Sequence, residues 1–163
     1  MSLTKVSYSM INGSPSNVLD FGADPTGVND STSAINAALA ASTCLYIPTG
    51  NYKVTAPLTI SLAGTHLFGD GHLIAASTFT GAAILSLTAN NLTIQGITID
   101  GTSIPSGTWV RGIGRPTGVS LSNILIDGVS VLDMTYCGIV FETETPGAIL
   151  HYNITVKNST VYG

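Results

Sequence analysis

NLTIQGITID (residues 91–100), NILIDGVSVL (residues 123–132) and NITVKNSTVY (residues 153–162) are three copies of one ten-residue pattern, starting 32 and then 30 residues apart. Counted from each leading asparagine, positions +1, +3, +6 and +8 are apolar in the first two copies: Leu92, Ile94, Ile97 and Ile99, then Ile124, Ile126, Val129 and Val131. The third copy keeps Ile154, Val156 and Val161 but carries Ser159 at +6. Steps of two are the period of a strand. A step of three inside a straight strand would turn the later apolar residues to the opposite face. They stay inside only if the chain bends between +3 and +6. Position +5 holds Gly96, Gly128 and Asn158, residue types that tolerate left-handed backbone. Each copy therefore predicts two short strands folded about a corner and facing one interior. Such a unit, repeated at near-regular spacing, marks a parallel β-solenoid, with Ile94, Ile126 and Val156 in one column.

The leading asparagines Asn91, Asn123 and Asn153 would then stack as well. Their amides can hydrogen-bond along the stacking axis, which makes them structural residues. Composition agrees with a stacked sheet protein. The 163 residues suit one domain, 9% are charged and 18 are glycine, so the surface is hydroxyl and amide rather than ionic. A net charge of −4, with five dispersed basic residues, argues against nucleic acid as partner. No run reaches the length of a membrane span, and the first fifteen residues lack the apolar core of a secretion signal. The expectation is that the protein either acts inside the producing cell or leaves it by a route such as lysis. Cys44 and Cys137 match no metal spacing and are expected as buried free thiols. No cofactor or metal is expected.

Along the chain, residues 1–17 read as a polar arm. Residues 18–60 read as an N-terminal cap: a short strand, a turn-rich loop through Gly22, Pro25 and Gly27, one helix at about 31–42, and short strands broken by a turn at Thr49-Gly50-Asn51. Asp30 or Ser31 suits the N-cap, and Ile35, Ala38 and Leu39 share a helical face. Residues 61–163 read as the coils. The segment 101–118, GTSIPSGTWVRGIGRPTG, breaks the pattern and is expected to project as a loop. Stacked sheets need capped ends. The helix meets that need at the front, whereas a repeat runs to Gly163, so continuation or cover by another chain is expected there.

From Val18 to Ile60 the sequence resembles the opening of the pectate-lyase-like superfamily of right-handed β-helices. The matching pieces are Asp20-Phe21-Gly22-Ala23, Gly27, Asn29-Asp30-Ser31-Thr32, Ala34-Ile35, Ala37-Ala38, Leu45-Tyr46-Ile47-Pro48, Gly50, Tyr52, Val54 and Pro57-Leu58. The resemblance implies an all-β fold: a right-handed single-stranded parallel β-helix with an N-terminal capping α-helix. Residues 5–23 resemble more narrowly the entry to the β-helix of bacteriophage tail spikes and tail fibres. That resemblance implies a virion protein, a homotrimer, attachment to other tail proteins through the arm, and recognition, often cleavage, of host surface polysaccharide. A bacterial protein leaving by a signal-independent route is the alternative. The polygalacturonase aspartate pair, Gly-His-Gly and Arg-x-Lys are missing: Gly71-His72-Leu73 lacks the second glycine and no Asp-Asp occurs.

Glycoside cleavage needs two carboxyls roughly 5 to 10 Å apart. Glu142 and Glu144 stand at i and i+2 after a strong strand and are the catalytic candidates, with a solvated surface pair as the competing reading. Asp100 and Asp127 flank repeat corners and read as turn stabilisers, like Asp20, Asp24 and Asp30 near the front. Asp133 is a further late carboxylate. A lyase would need a basic residue beside a uronate and often Ca²⁺, and Arg111, Arg115 and Lys157 offer little for it. Trp109, the single tryptophan, lies near Arg111 and Arg115 and could stack on a sugar, pack against a neighbouring subunit or anchor its loop; Trp109 and Arg111 are the substrate-binding candidates. The competing functions are glycan recognition, a depolymerase, and a trimeric scaffold without activity. His66, His72 and His151 carry no assigned role.

Overall fold

The structure, a computed structural model, describes residues 14–142 and 151–163. It opens with β1 (Ser16–Asn17), a 3₁₀ turn (Val18–Phe21), β2 (Thr26–Asp30) and the helix α1 (Thr32–Ala41). Strands follow as β3 (Cys44–Val54), β4 (Leu58–Ile60), β5 (His66–Ala75), β6 (Ala83–Leu87), β7 (Leu92–Gln95), β8 (Thr98–Asp100), β9 (Arg111–Gly114), β10 (Ser122–Asp127), β11 (Ser130–Leu132), β12 (Cys137–Ile139), β13 (Tyr152–Lys157) and β14 (Thr160–Tyr162). The chain is mostly β, and every strand pairing is parallel.

Three ladders recur in the same order along the chain. The first joins the front of β3, the front of β5, β7, β10 and β13, in the register Leu45–Leu67–Ile94–Ile126–Val156. The second joins the back of β3, the back of β5, β8, β11 and β14, in the register Tyr52–Leu73–Ile99–Val131–Val161. The third joins β4, β6, β9 and β12, in the register Leu58–Leu85–Ile113–Ile139. The column predicted from the repeats is present, and identical periodicity on successive rungs explains it. Each rung must bury its apolar set against the rung below, and a one-residue slip would expose all of it.

The corner between the first two ladders is the +5 residue, left-handed at Gly96 (φ 79°), Gly128 (φ 64°) and Asn158 (φ 51°). A Cβ on Gly96 would come within 2.5 Å of the Gly69 carbonyl oxygen, so the corner also needs its missing side chain. A second left-handed residue opens each copy: Asn91, Asn123 and Asn153 have φ of 59°, 55° and 54°. Their amides form the expected ladder. Asn123 Nδ2 donates to Asn91 Oδ1 at 2.8 Å, and Asn153 Nδ2 donates to Asn123 Oδ1 at 2.9 Å.

α1 buries Ala34, Ile35, Ala38 and Leu39 and packs on the 3₁₀ turn, β3 and β4. Its Asn36 amide donates to the Pro57 carbonyl and accepts from Thr59 N–H, both at 2.9 Å. That side chain satisfies the edge of β4 as a neighbouring strand would. Ser31 sits at the N-cap without a side-chain cap bond; its hydroxyl accepts from Asp24 N–H instead. Asp30 takes the Thr32 N–H at 3.0 Å.

Several local expectations are corrected. Val18–Phe21 is a 3₁₀ turn ended by left-handed Gly22, not a strand, because the Asn17 side chain accepts from Leu19 N–H and starts a turn. Thr49-Gly50-Asn51 does not break the strand. β3 runs through, and the bend appears as a register shift against β5 between Ile47 and Gly50. The segment 101–118 is only partly loop, since Arg111–Gly114 is β9 and a rung of the third ladder. Cys44 and Cys137 are free thiols, but half-buried rather than buried. Ser16 and Asn17, read as the end of the arm, pair with Leu45 and Tyr46. Residues 1–13 lie outside the described residues.

Candidate functional site

The third ladder is flanked on its later rungs by connections of ten and four residues. Residues 101–110 lead into β9 and 133–136 into β12, so these two loops stack. Thr135 ties them together: its hydroxyl accepts from Val110 N–H and pairs with the Thr108 hydroxyl, each at 3.3 Å. The tie sets Trp109 beside Tyr136 in an edge-on contact, with ring centroids 4.9 Å apart. Trp109 stays 72% exposed, an unusual position for so large an apolar surface.

Arg111, at the start of β9, extends past Gly114. A Cβ there would lie 2.9 Å from Arg111 Cδ, so the glycine makes room for the side chain. The guanidinium carbon sits 5.4 Å from the Tyr136 ring centroid, a cation–π distance, and NH2 forms an ion pair with Glu142 Oε1. Arg111 Nε is out of solvent and has no acceptor among the described residues. Glu142 in turn is fastened through its backbone. Arg115, 6% exposed, donates to the Glu142 carbonyl, to the Pro116 carbonyl at 2.8 Å and to His151 Nε2 at 3.0 Å.

Three of the four residues singled out from sequence thus meet: Trp109, Arg111 and Glu142. Tyr136, which joins them, carried no sequence signal, being a lone tyrosine after an irregular loop. Glu144 lies outside the described residues. Glu142 is engaged by a guanidinium rather than facing a second described carboxylate across a gap. The cluster offers an aromatic shelf beside a charged donor and acceptor, groups chemically able to stack on a ring and to hydrogen-bond hydroxyls.

Elsewhere the polar side chains stabilise turns and rungs. Asp24 accepts from the Thr26 hydroxyl, Asn29 N–H and Thr26 N–H, which hold its carboxyl well below the usual carboxylate range. Burial would raise the Asp100 carboxyl, but the Thr102 hydroxyl and N–H, together with His72, outweigh it and leave a net lowering. Asp100 is thus the turn stabiliser expected. Asp127 instead bridges rungs: Asn158 Nδ2 donates to it at 2.9 Å and Lys157 pairs with it at 3.4 Å, so its carboxyl is also lowered. No described helix is long and apolar enough to cross a membrane.

Parallel ladders with left-handed asparagine corners, bearing their long loops beside one ladder, define a protein of the pectate-lyase-like class. The chain belongs to the family described as rhamnogalacturonase A/epimerase, pectate lyase-like, whose model matches residues 16–163. Among solved structures it is similar to the pre-mature gene product 12 of bacteriophage phi29, with 20% identity and a TM-score of 0.67, over 85% of this chain and 21% of that one. It is also similar to ORF18 of Geobacillus virus E2, with 28% identity and a TM-score of 0.52, over 72% of this chain and 24% of that one. The chain therefore spans a quarter or less of the length of either. Comparison with curated proteins gives no match.

Proposed function

We propose that this chain is the β-helix segment of a phage tail spike or fibre, carried on the virion, that recognises polysaccharide on the host cell surface. The observation that carries the proposal is the exposed Trp109–Tyr136 shelf set against the Arg111–Glu142 pair on stacked loops. The phage origin of the two similar structures supports the virion part. In the same proposal the ladders close as a right-handed solenoid and α1 is its cap; the Asn36 amide, bonded like a strand to β4, supports this.

The test is binding of the purified chain to capsule and lipopolysaccharide preparations from a panel of bacteria. Trp109→Ala is expected to weaken binding about tenfold or more, the usual cost of removing a central aromatic anchor. Equal binding by Trp109→Ala, with the wild-type chain bound to at least one preparation, would remove the site from the proposal. A panel with no binding at all would remove the function. A clearing assay on the same polysaccharides separates plain recognition from depolymerase activity.

A further inference from the structure

The fork of Arg111 is half used. A guanidinium presents Nε–H and one NH2 hydrogen side by side, matched to the two oxygens of a carboxylate or phosphate. Glu142 takes NH2 through one oxygen, while Nε on the same edge is shielded from solvent and has no acceptor among the described residues. A buried donor without a partner is costly and rare in a folded protein, and calls for an explanation. Glu142 is also the freer member of the pair: its side chain is 38% exposed against 17% for Arg111. Its backbone carbonyl is held by Arg115, so the carboxylate can swing into water without moving the main chain. Tyr136 lies beside the same guanidinium, and Trp109 packs edge-on against Tyr136.

We propose that Glu142 is a resident competitor on Arg111, and that the fork takes the oxyanion of a charged sugar whose ring lies on Trp109. Binding exchanges one carboxylate for another oxyanion, now held through both Nε and Nη2. The Glu142 contact is then autoinhibitory. It sets how strongly the site prefers charged over neutral sugars. The proposal rests on the shelf being a glycan site, and deepens it by naming the sugar chemistry and its control.

Trp109 is the single tryptophan, so its fluorescence reports on this site alone. The probes are glucose, glucuronate and glucose 6-phosphate, one ring bearing a hydroxyl, a carboxylate or a phosphate. The quantity read is the ratio of oxyanion affinity to glucose affinity. In Glu142→Gln this ratio is expected to rise about tenfold, because the charged competitor is gone. In Arg111→Lys, which keeps the charge but loses the fork, it should fall toward that of neutral sugar. Whichever of glucuronate and glucose 6-phosphate gains more identifies the oxyanion. Should Glu142→Gln not fold, as judged by thermal melting, Arg111→Lys and the wild-type ratio between low and high salt decide the matter. Glucose binding with a ratio unchanged by either variant overturns the inference and leaves the glycan site standing. No response to any of the three sugars overturns the glycan site itself.

Discussion

Asn123 is left-handed and also donates and accepts in the amide ladder, so one residue type meets two demands. Left-handed backbone costs an ordinary residue about 1–2 kcal/mol, and asparagine less. Asn123→Ala is expected to destabilise the chain by about that amount, and Asn123→Gly by less, because glycine restores the backbone but not the ladder. Urea unfolding of the two variants side by side checks the order. Asp24 carries a second residue-scale expectation. Its carboxyl is lowered chiefly by the Thr26 hydroxyl, with Asn29 and Thr26 N–H groups adding to it. A lowered carboxyl stabilises the fold above the ordinary carboxylate pKa of about 3.9 and loses that contribution as pH falls below it. Asp24→Asn should therefore lower the melting temperature at pH 6 and lower it by less at pH 2, as scanning calorimetry at the two pH values would show. The role of Asn91, Asn123 and Asn153 was legible in sequence because they recur. That of Tyr136 was not, because a single aromatic in a loop has no period. Its meaning comes from the stacking of two loops 27 residues apart, tied at Thr108 and Thr135.

The strands of the three repeats, β7, β8, β10, β11, β13 and β14, were legible in advance because their apolar positions recur from copy to copy. β9 was missed because RGIG holds one large apolar residue, Ile113, between two glycines, and no period can be counted from that. Those glycines have a packing reason that only the fold reveals. A Cβ on Gly112 would lie 2.6 Å from the Gly138 carbonyl oxygen, and one on Gly114 would press on Arg111. α1 was legible from Ile35, Ala38 and Leu39, but its most specific contact was not. Asn36 bonds both ways to the edge of β4, and nothing in a helix sequence distinguishes such an asparagine from a surface one. Asn36→Ala would leave a part-buried N–H and C=O unpaired, at a cost of about 1–3 kcal/mol. It would also free a strand edge for pairing with other chains. Lower thermal stability with faster aggregation, followed by light scattering on heating, is expected; an unchanged melting temperature would show that water replaces the amide at no cost.

Across the molecule, burial along one column is uneven. Ile94 and Ile126 are fully buried, whereas Val156 on the last rung is 46% exposed, and Val161 is 53% exposed beside buried Val131. Truncation should follow that gradient. Ile126→Ala is expected to cost about 2–5 kcal/mol, as for other large-to-small core changes, and Val156→Ala much less. Denaturant midpoints for the two variants measure the difference, and equal losses would mean that the last rung is covered in solution. The intervals between the repeats carry a last consequence. Ile94, Ile126 and Val156 align although the stretches separating them differ by two residues, so register is indifferent to how much chain is spent between rungs. Frame and loops can thus vary separately: connections beside β9 and β12 can be lengthened, shortened or rewritten while the stack beneath them keeps its alignment.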